Sequence, residues 1–364
     1  MNKKNVLIVA KSLSEGGSER AAAILSLMLK PFNYDVTLVI LDNKISYEYY
    51  GTCYVLNREK IKKNFKTRFS FFINFRNYVT QNHFDYVIDF RTRNSILREL
   101  LIYKFIYKKI KNVVFTIHLP QLYLYIPKPF FLVKKNYAEA LKIVTVSNAI
   151  RELVKHSYIL KNTALIYNAI DIESIQKLKQ ETISELEDFI LIVGRMDDDI
   201  KQIKKLIDCY PKTSLKEKQI KLFIMGDGSL KETMKHEVKS RGLSEDIHFL
   251  SFQENPYKYM ARAKFLVLCS KMEGFPYVIL ETLACGTPVV SFDCETGPRE
   301  MIQNECNGLL VENQDFDKLI KAINRLVSNS ELYDHCKKNA LTSVEKFDMT
   351  LIAENWKQIL ETNC

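Results

Sequence analysis

Residues 269–302 read CSKMEGFPYVILETLACGTPVVSFDCETGPREMI, and they decide the architecture of the chain. An apolar run, Phe265–Cys269, leads into the loop that carries Glu273. A helical stretch, Tyr277–Ala284, follows, and a second apolar run, Val289–Phe292, comes after the turn at Gly286. Two short buried strands joined by a helix of this length make a parallel βαβ unit. Glu273 sits in the loop and Glu281 lies two turns along the helix, eight positions on. The Gly274–Phe275–Pro276 turn puts backbone N–H groups, Pro276 itself having none, at the helix start, where they suit an anion such as a diphosphate. Glu281 has the two oxygens needed to accept both hydroxyls of a ribose. A plain amphipathic helix with two solvated glutamates leaves the neighbouring GFP, ACGTPVV and TGPRE segments unexplained.

The same alternation extends both ways along the chain. The second half gives strands at Phe189–Val193, Lys221–Met225, Ile247–Leu250 and Leu309–Val311, with helices at Lys201–Cys209, Leu230–Arg241, Pro256–Arg262 and Asp315–Leu326. The first half gives strands at Asn5–Ala10, Val36–Leu41, Tyr86–Phe90, Val113–Ile117, Ile143–Val146 and Thr163–Tyr167, separated by helical stretches at Glu19–Leu29, Phe71–Thr80 and Ser95–Tyr107. Ser147 caps a further helix. These patterns predict an α/β chain of two doubly wound parallel-sheet domains facing each other across a cleft, at residues 1–170 and 189–345. Residues 171–188 read as a linker, and a last helix in 346–364 as packing back on the first domain.

With 364 residues, 47% hydrophobic and 26% charged, the chain has the balance of a soluble globular protein. No run reaches the ~18 apolar residues of a membrane span, and the start shows no signal-peptide pattern. Eight scattered cysteines without C-x-x-C spacing argue against a zinc site or a disulfide framework and suit a reducing cytoplasm. The net charge of +10 is uneven, since residues 58–111 hold 14 basic residues against four acidic ones, with aromatics interleaved. That stretch is either a solvated basic face or an attraction to an anionic partner, with a membrane surface fitting better than nucleic acid. No DNA- or RNA-binding signature accompanies it.

The other candidate site residues lie at strand ends. Gly16 and Gly17 form a glycine turn before a helix, although the spacing and the missing acidic partner disfavour a nicotinamide dehydrogenase. His118 follows the strand VVFTI, and is either a ligand contact or a loop histidine satisfied by backbone. Arg91, Arg93 and Asn94 are expected at the cleft mouth. Gly194, Arg195 and Lys201 put cations at a strand rim, a pattern that suits a diphosphate. Asp197–Asp199 has the form of a D-x-D metal motif, but its place beside two cations disfavours a metal. Gly226 and Gly228 end another strand and leave room for a flat or phosphorylated ligand.

Taken together, E-G-F-P-x₄-E, A-C-G-T-P-V-V, T-G-P-R-E, SEGGSER, VGR…K and IYNAID resemble the E-x₇-E retaining glycosyltransferases of family 4, which have the GT-B fold. The likeness is to bacterial enzymes that extend polyprenyl-linked or lipopolysaccharide glycans. The resemblance implies that Glu273 contacts the donor sugar and supports the charge that develops in transfer. It implies that Glu281 holds the ribose, that Arg195 and Lys201 hold the diphosphate, and that Phe275 and Pro276 support this region. Gly16 and Gly17 would close over the pyrophosphate, His118 would contact the sugar or acceptor, and the base would lie near Gly226, Phe252 and Gln253. Gln202 stands where the family often has Gly or Asn, and Lys204 and Lys205 remain alternatives to Lys201 as the phosphate ligand.

The resemblance further implies a UDP-sugar or similar co-substrate, no cofactor or metal, and a glycan or lipid-linked acceptor. It places the work in the cytoplasm, at the inner face of the membrane. The rival readings are a nucleotide-sugar epimerase or a phosphorylase on the same fold, and a non-catalytic nucleotide-sugar-binding protein.

Overall fold

Each half of the chain builds one parallel sheet. The computed structural model describes residues 3–56, 65–183 and 187–361, leaving aside the side chains of 65–69 and 71. Two compact units divide the chain, one of Met1–Ala169 with Met349–Cys364, the other of Ile170–Asp348.

In the first unit the strands are β1 (Lys4–Ala10), β2 (Tyr34–Ile40), β3 (Thr52–Val55), β4 (Tyr86–Asp89), β5 (Asn112–Ile117), β6 (Lys142–Thr145) and β7 (Thr163–Leu165), in the order β3-β2-β1-β4-β5-β6-β7. Val6 through Val9 are fully buried in the middle of this sheet, because helices cover both of its faces. The edge strand β3 was not expected from the sequence. Its TCYV is exposed to half-buried along its length and lacks the apolar run that marks a central strand. The helix Met349–Glu361 belongs to this unit, where Ile352, Trp356 and Leu360 join the core of β1, β2 and β4. The Tyr86 hydroxyl donates to the Leu360 carbonyl.

In the second unit the strands are β8 (Phe189–Val193), β9 (Lys221–Met225), β10 (Ile247–Leu250), β11 (Leu266–Leu268), β12 (Val289–Phe292) and β13 (Gly308–Val311), ordered β10-β9-β8-β11-β12-β13. Numbered within the unit this is 3-2-1-4-5-6, the order of nucleotide-binding doubly wound sheets. The order reverses between β8 and β11, and ligands of such sheets bind at the carboxyl ends of the strands on either side of that point. Gly194–Lys201 follows β8 and Cys269–Glu273 follows β11, so the sequence motifs fall at the reversal.

Residues 171–188, expected as a linker, instead carry the helix Ile172–Leu178, capped by Asp171. It is tied to the second unit. Gln176 donates to the Ala284 carbonyl, Lys179 Nζ lies 3.3 Å from the Cys285 carbonyl, and Asn255 donates to the Leu178 carbonyl at 2.8 Å. The helix predicted from Lys201 begins two residues later, at Ile203, because Gln202 is its left-handed N-cap.

Candidate active site

Lys201 and Glu273 meet at the strand-order reversal. Lys201 Nζ lies 2.6 Å from Glu273 Oε1, and both side chains are mostly buried. Gly194 makes the approach possible, since a Cβ there would stand 3.0 Å from Lys201 Cγ. Gln202 fixes the loop with φ 51° and ψ 33°, a conformation that favours Gly or Asn. Its buried amide offsets this by donating to the Cys269 carbonyl at 2.8 Å, which ties the start of the helix Ile203–Cys209 to the end of β11. Lys204 instead pairs with Glu237 at 3.3 Å, and Lys205 lies over the Phe316 ring. Of the three lysines, Lys201 is the one brought to Glu273. Arg195 is exposed just beyond β8 and pairs with no described residue.

The three aspartates beside it are each engaged. Asp197 accepts from the Ser229 N–H, Asp198 from the Ile200 N–H, and Asp199 pairs with Lys271 at 2.7 Å.

The loop of Glu273 is held by the TGP segment. The Thr296 hydroxyl donates to the Glu273 carbonyl. Gly297, with φ 98°, packs so closely that a Cβ would lie 2.9 Å from the Gly274 carbonyl and 3.0 Å from Pro276 Cδ. Phe275 is buried with its ring 5.4 Å from Phe347 in an edge contact, so its side chain is core and only its backbone can serve a ligand. Pro276 is the N-cap of Tyr277–Ala284. Glu281 is buried on that helix and accepts from the Tyr257 hydroxyl at 3.1 Å.

Gly226 and Gly228 are places of close backbone approach. A Cβ on Gly226 (φ +142°) would fall 2.1 Å from the Gly194 carbonyl, and one on Gly228 2.3 Å from the Met196 carbonyl carbon. The backbone of 194–196 fills the side-chain position of both glycines. Between them Asp227 pairs with Lys231 at 2.6 Å and accepts the Phe252 N–H, also at 2.6 Å. This pins the turn on which the Phe252 ring stands 71% exposed. Gln253 turns its amide to the Ser251 carbonyl at 3.2 Å.

In the first unit Gly16 is the N-cap and Gly17 the first residue of Gly17–Leu29, and the Glu19 carboxylate folds back to the side-chain position of Gly16. His118 is buried one residue after β5, with Nε2 3.0 Å from Thr116 Oγ1. Burial, with the nearby Arg93 charge, pushes its imidazole down to about 3, so the ring is neutral. Arg91 and Arg93 were expected at a ligand-facing mouth, and the structure corrects this. Both are buried. Arg91 pairs with Asp89 at 2.7 Å and Glu99 at 3.1 Å, while Arg93 donates to the carbonyls of Asp89, Arg91, Thr116 and Tyr125. Burial alone pushes the Asp89 carboxyl up, yet the two guanidiniums hold it below its ordinary range. Two cations and two carboxylates that satisfy one another in the interior are a structural cluster. Asn94 remains exposed.

The sequence reading missed Gln202 as a clamp, Thr296 as a brace and Tyr257 as the partner of Glu281. Thr296 lies inside the quoted TGP segment, but nothing local marks Tyr257, 24 residues from Glu281.

Residues 15–174 match glycosyltransferase family 4, and residues 173–342 match glycosyl transferases group 1. The chain is 30% identical over 358 residues to a Campylobacter jejuni protein named N-acetylgalactosamine-N,N'-diacetylbacillosaminyl-diphospho-undecaprenol 4-alpha-N-acetylgalactosaminyltransferase, covering 94% of this chain and 96% of that one. Its fold resembles Staphylococcus aureus TarM, solved with fondaparinux, alpha-GlcNAc-glycerol and UDP (TM-score 0.77, 14% identity, 98% of this chain and 100% of that one). It also resembles Anabaena HepE, solved with UDP and glucose (TM-score 0.76, 18% identity, 99% of this chain and 100% of that one). The chain belongs to the family-4 glycosyltransferases, and its fold is GT-B.

Proposed function

We propose that this glycosyltransferase moves a sugar from a UDP-sugar to a glycan on a lipid diphosphate, in bacterial surface polysaccharide or glycoconjugate synthesis. The transfer retains the anomeric configuration and uses neither a bound metal nor a cofactor. The observation that carries this reading is the Lys201–Glu273 pair beside Arg195 at the strand-order reversal. The C. jejuni relative is named for a diphospho-undecaprenol acceptor, and both TarM and HepE were solved with UDP, which supports the choice of donor and acceptor.

In this reading Arg195, Lys201 and the amides before Tyr277 neutralise the diphosphate as its bond to the sugar breaks, the part that Mg²⁺ plays elsewhere. Glu281 holds the ribose, oriented by Tyr257, and Phe252 offers an exposed ring for the base. Glu273 faces the reacting sugar and stabilises its oxocarbenium character. The acceptor oxygen bonds to the anomeric carbon on the face from which the phosphate departs, and the departing phosphate oxygen takes its proton. For the first unit, the same reading gives the neutral His118 a hydroxyl to orient and the amides at Gly16 and Gly17 an anion to bind.

The acceptor side works at an anionic membrane surface on the cytoplasmic face. Leu97, Leu101 and Phe105 lie four residues apart on one face of the helix Ile96–Phe105, 68%, 38% and 39% exposed. Exposed Lys104, Lys108, Lys109 and Lys111 adjoin them, an arrangement that suits lipid headgroups above acyl chains. Among the described residues no helix is long and apolar enough to cross a membrane.

The test is UDP release from a panel of UDP-sugars, with and without a polyprenyl-diphosphate glycan, in the presence of EDTA. Release that needs the acceptor, survives EDTA and gives a product of retained configuration is the expected result. Acceptor-independent isomerisation of the donor sugar would establish the epimerase instead, and activity restored by Mg²⁺ or Mn²⁺ would move the leaving-group role to a metal.

A further inference from the structure

The environment of His118 determines which ring nitrogen carries its proton. Thr116 Oγ1 lies 3.1 Å from the Asp89 carbonyl and 3.0 Å from His118 Nε2. The carbonyl, which also receives Arg93 Nη1 at 2.9 Å, can only accept. The single hydroxyl hydrogen of Thr116 therefore goes to Asp89, and Oγ1 can meet Nε2 only as an acceptor. Arg93 Nη2 donates to the Thr116 carbonyl at 2.8 Å, holding this residue in place. On the other side of the ring, Nδ1 is buried and has no partner among the described residues. A buried acceptor without a donor is unusual in a folded protein and marks a place for a ligand's hydrogen.

We propose that Thr116 is a positioning residue that holds His118 as its Nε2–H tautomer, leaving Nδ1 to accept a hydrogen bond from a hydroxyl of the sugar ligand. That the hydroxyl belongs to a sugar rests on the function proposed above; the tautomer does not. The reverse tautomer would set two acceptors, Oγ1 and the Asp89 carbonyl, against each other and would bury an unpaired Nδ1–H. The rings of Phe90 and Tyr125 flank the imidazole, their centroids 5.3 and 6.5 Å from its own.

The experiment reads the ring nitrogens directly. In the ¹⁵N-histidine-labelled full chain without ligand, with His118 assigned by comparison with His118→Gln, Nε2 is expected to be protonated and Nδ1 bare. Thr116→Val should move protonation towards Nδ1, and Thr116→Ser should restore the wild-type pattern. A wild-type proton on Nδ1, or a Thr116→Val spectrum like that of wild type, would overturn the proposal. Should Thr116→Val fail to fold, the wild-type spectrum decides. Turnover is then measured with whichever of UDP-glucose, UDP-galactose, UDP-GlcNAc and UDP-GalNAc the wild type uses. Thr116→Val should lower kcat/KM about tenfold, the worth of roughly one hydrogen bond, with Thr116→Ser near wild type. A switched tautomer with unchanged kinetics would overturn the assignment of Nδ1 to the ligand. A wild type that uses none of the four donors counts against the function proposed above, while the spectrum still decides the tautomer.

Discussion

Lys201 Nζ stands 2.6 Å from Glu273 Oε1, joining two loops 72 residues apart where the second sheet reverses its strand order. In the function proposed above, Glu273 and the diphosphate share Lys201, so the carboxylate would compete with the nucleotide for that cation while serving the sugar.

This division of roles predicts opposite signatures for the two glutamates. Glu273→Gln should leave UDP affinity unchanged or raised and lower turnover at saturating donor by about a hundredfold, in the range of a lost electrostatic contact to the transition state. Glu281→Ala should weaken UDP binding by roughly 1.5–3 kcal/mol, the worth of a charged hydrogen-bond partner. Calorimetry with UDP and initial rates with the full donor separate the two, and equal effects of both changes would refute the assignment.

Gly226→Ala should destabilise the second unit. The new Cβ would meet the Gly194 carbonyl at 2.1 Å, and the backbone at φ +142° already disfavours a side chain. A loss of roughly 1–3 kcal/mol is expected from such local strain. UDP affinity should fall as well, because Gly194 adjoins Arg195. Gly242→Ala is the control, since its φ is +66° but nothing lies within 4 Å of its Cβ. Thermal melting of both variants makes the comparison, and an equal drop in Tm would show that backbone angle, not the loop contact, is responsible.

His118 should make the first unit sensitive to acid. Its folded pKa is depressed to about 3 from 6.5, chiefly by burial and then by Arg93. Between these values the unfolded chain binds a proton that the folded chain refuses. Stability therefore falls as pH drops below 6.5, by up to about 1.4 kcal/mol per pH unit from this group. Denaturant midpoints from pH 7 to pH 4 should fall less steeply in His118→Gln. Asp89 and the other carboxylates are common to both proteins and cancel in the difference. Parallel slopes would mean that the imidazole titrates normally.

Binding to vesicles should depend on both the apolar stripe and the basic stretch. Replacing Leu97, Leu101 and Phe105 with Ser should reduce sedimentation with phosphatidylglycerol vesicles, since each buried large apolar side chain is worth about 1.5–3 kcal/mol. Reversing the charge of Lys62, Lys63 and Lys66 should reduce it too; the first two residues and the third side chain lie outside the described residues. Binding should weaken as salt rises, because screening shortens the reach of the charges. A wild-type chain that ignores these vesicles at low salt would make the basic stretch a solvated face. Arg91 and Arg93 take no part, since they are buried against Asp89 and Glu99.

Most of the strand framework could be read from the sequence, because a parallel strand covered on both faces must be continuously apolar. The runs Phe189–Val193, Lys221–Met225, Ile247–Leu250 and Val289–Phe292 coincide with β8, β9, β10 and β12. The half-buried edge β3 left no such mark. The glycine-rich strand ends were legible too, since helix starts and turns need particular residues nearby.

Tertiary structure decided which of these residues meet. Local pattern made Arg91 and Arg93 look like ligand contacts, but Asp89 and Glu99 neutralise them in the interior. It marked Gly226 as a glycine turn, but only the fold shows that the loop after β8 packs against its side-chain position. Lys201, Lys204 and Lys205 were equivalent by composition, and only the helix Ile203–Cys209 turns the last two towards Glu237 and Phe316. Periodicity and turn chemistry act over a few residues and so are written locally. The pairing of Lys201 with Glu273 depends on β8 and β11 lying side by side, a consequence of how the whole sheet winds.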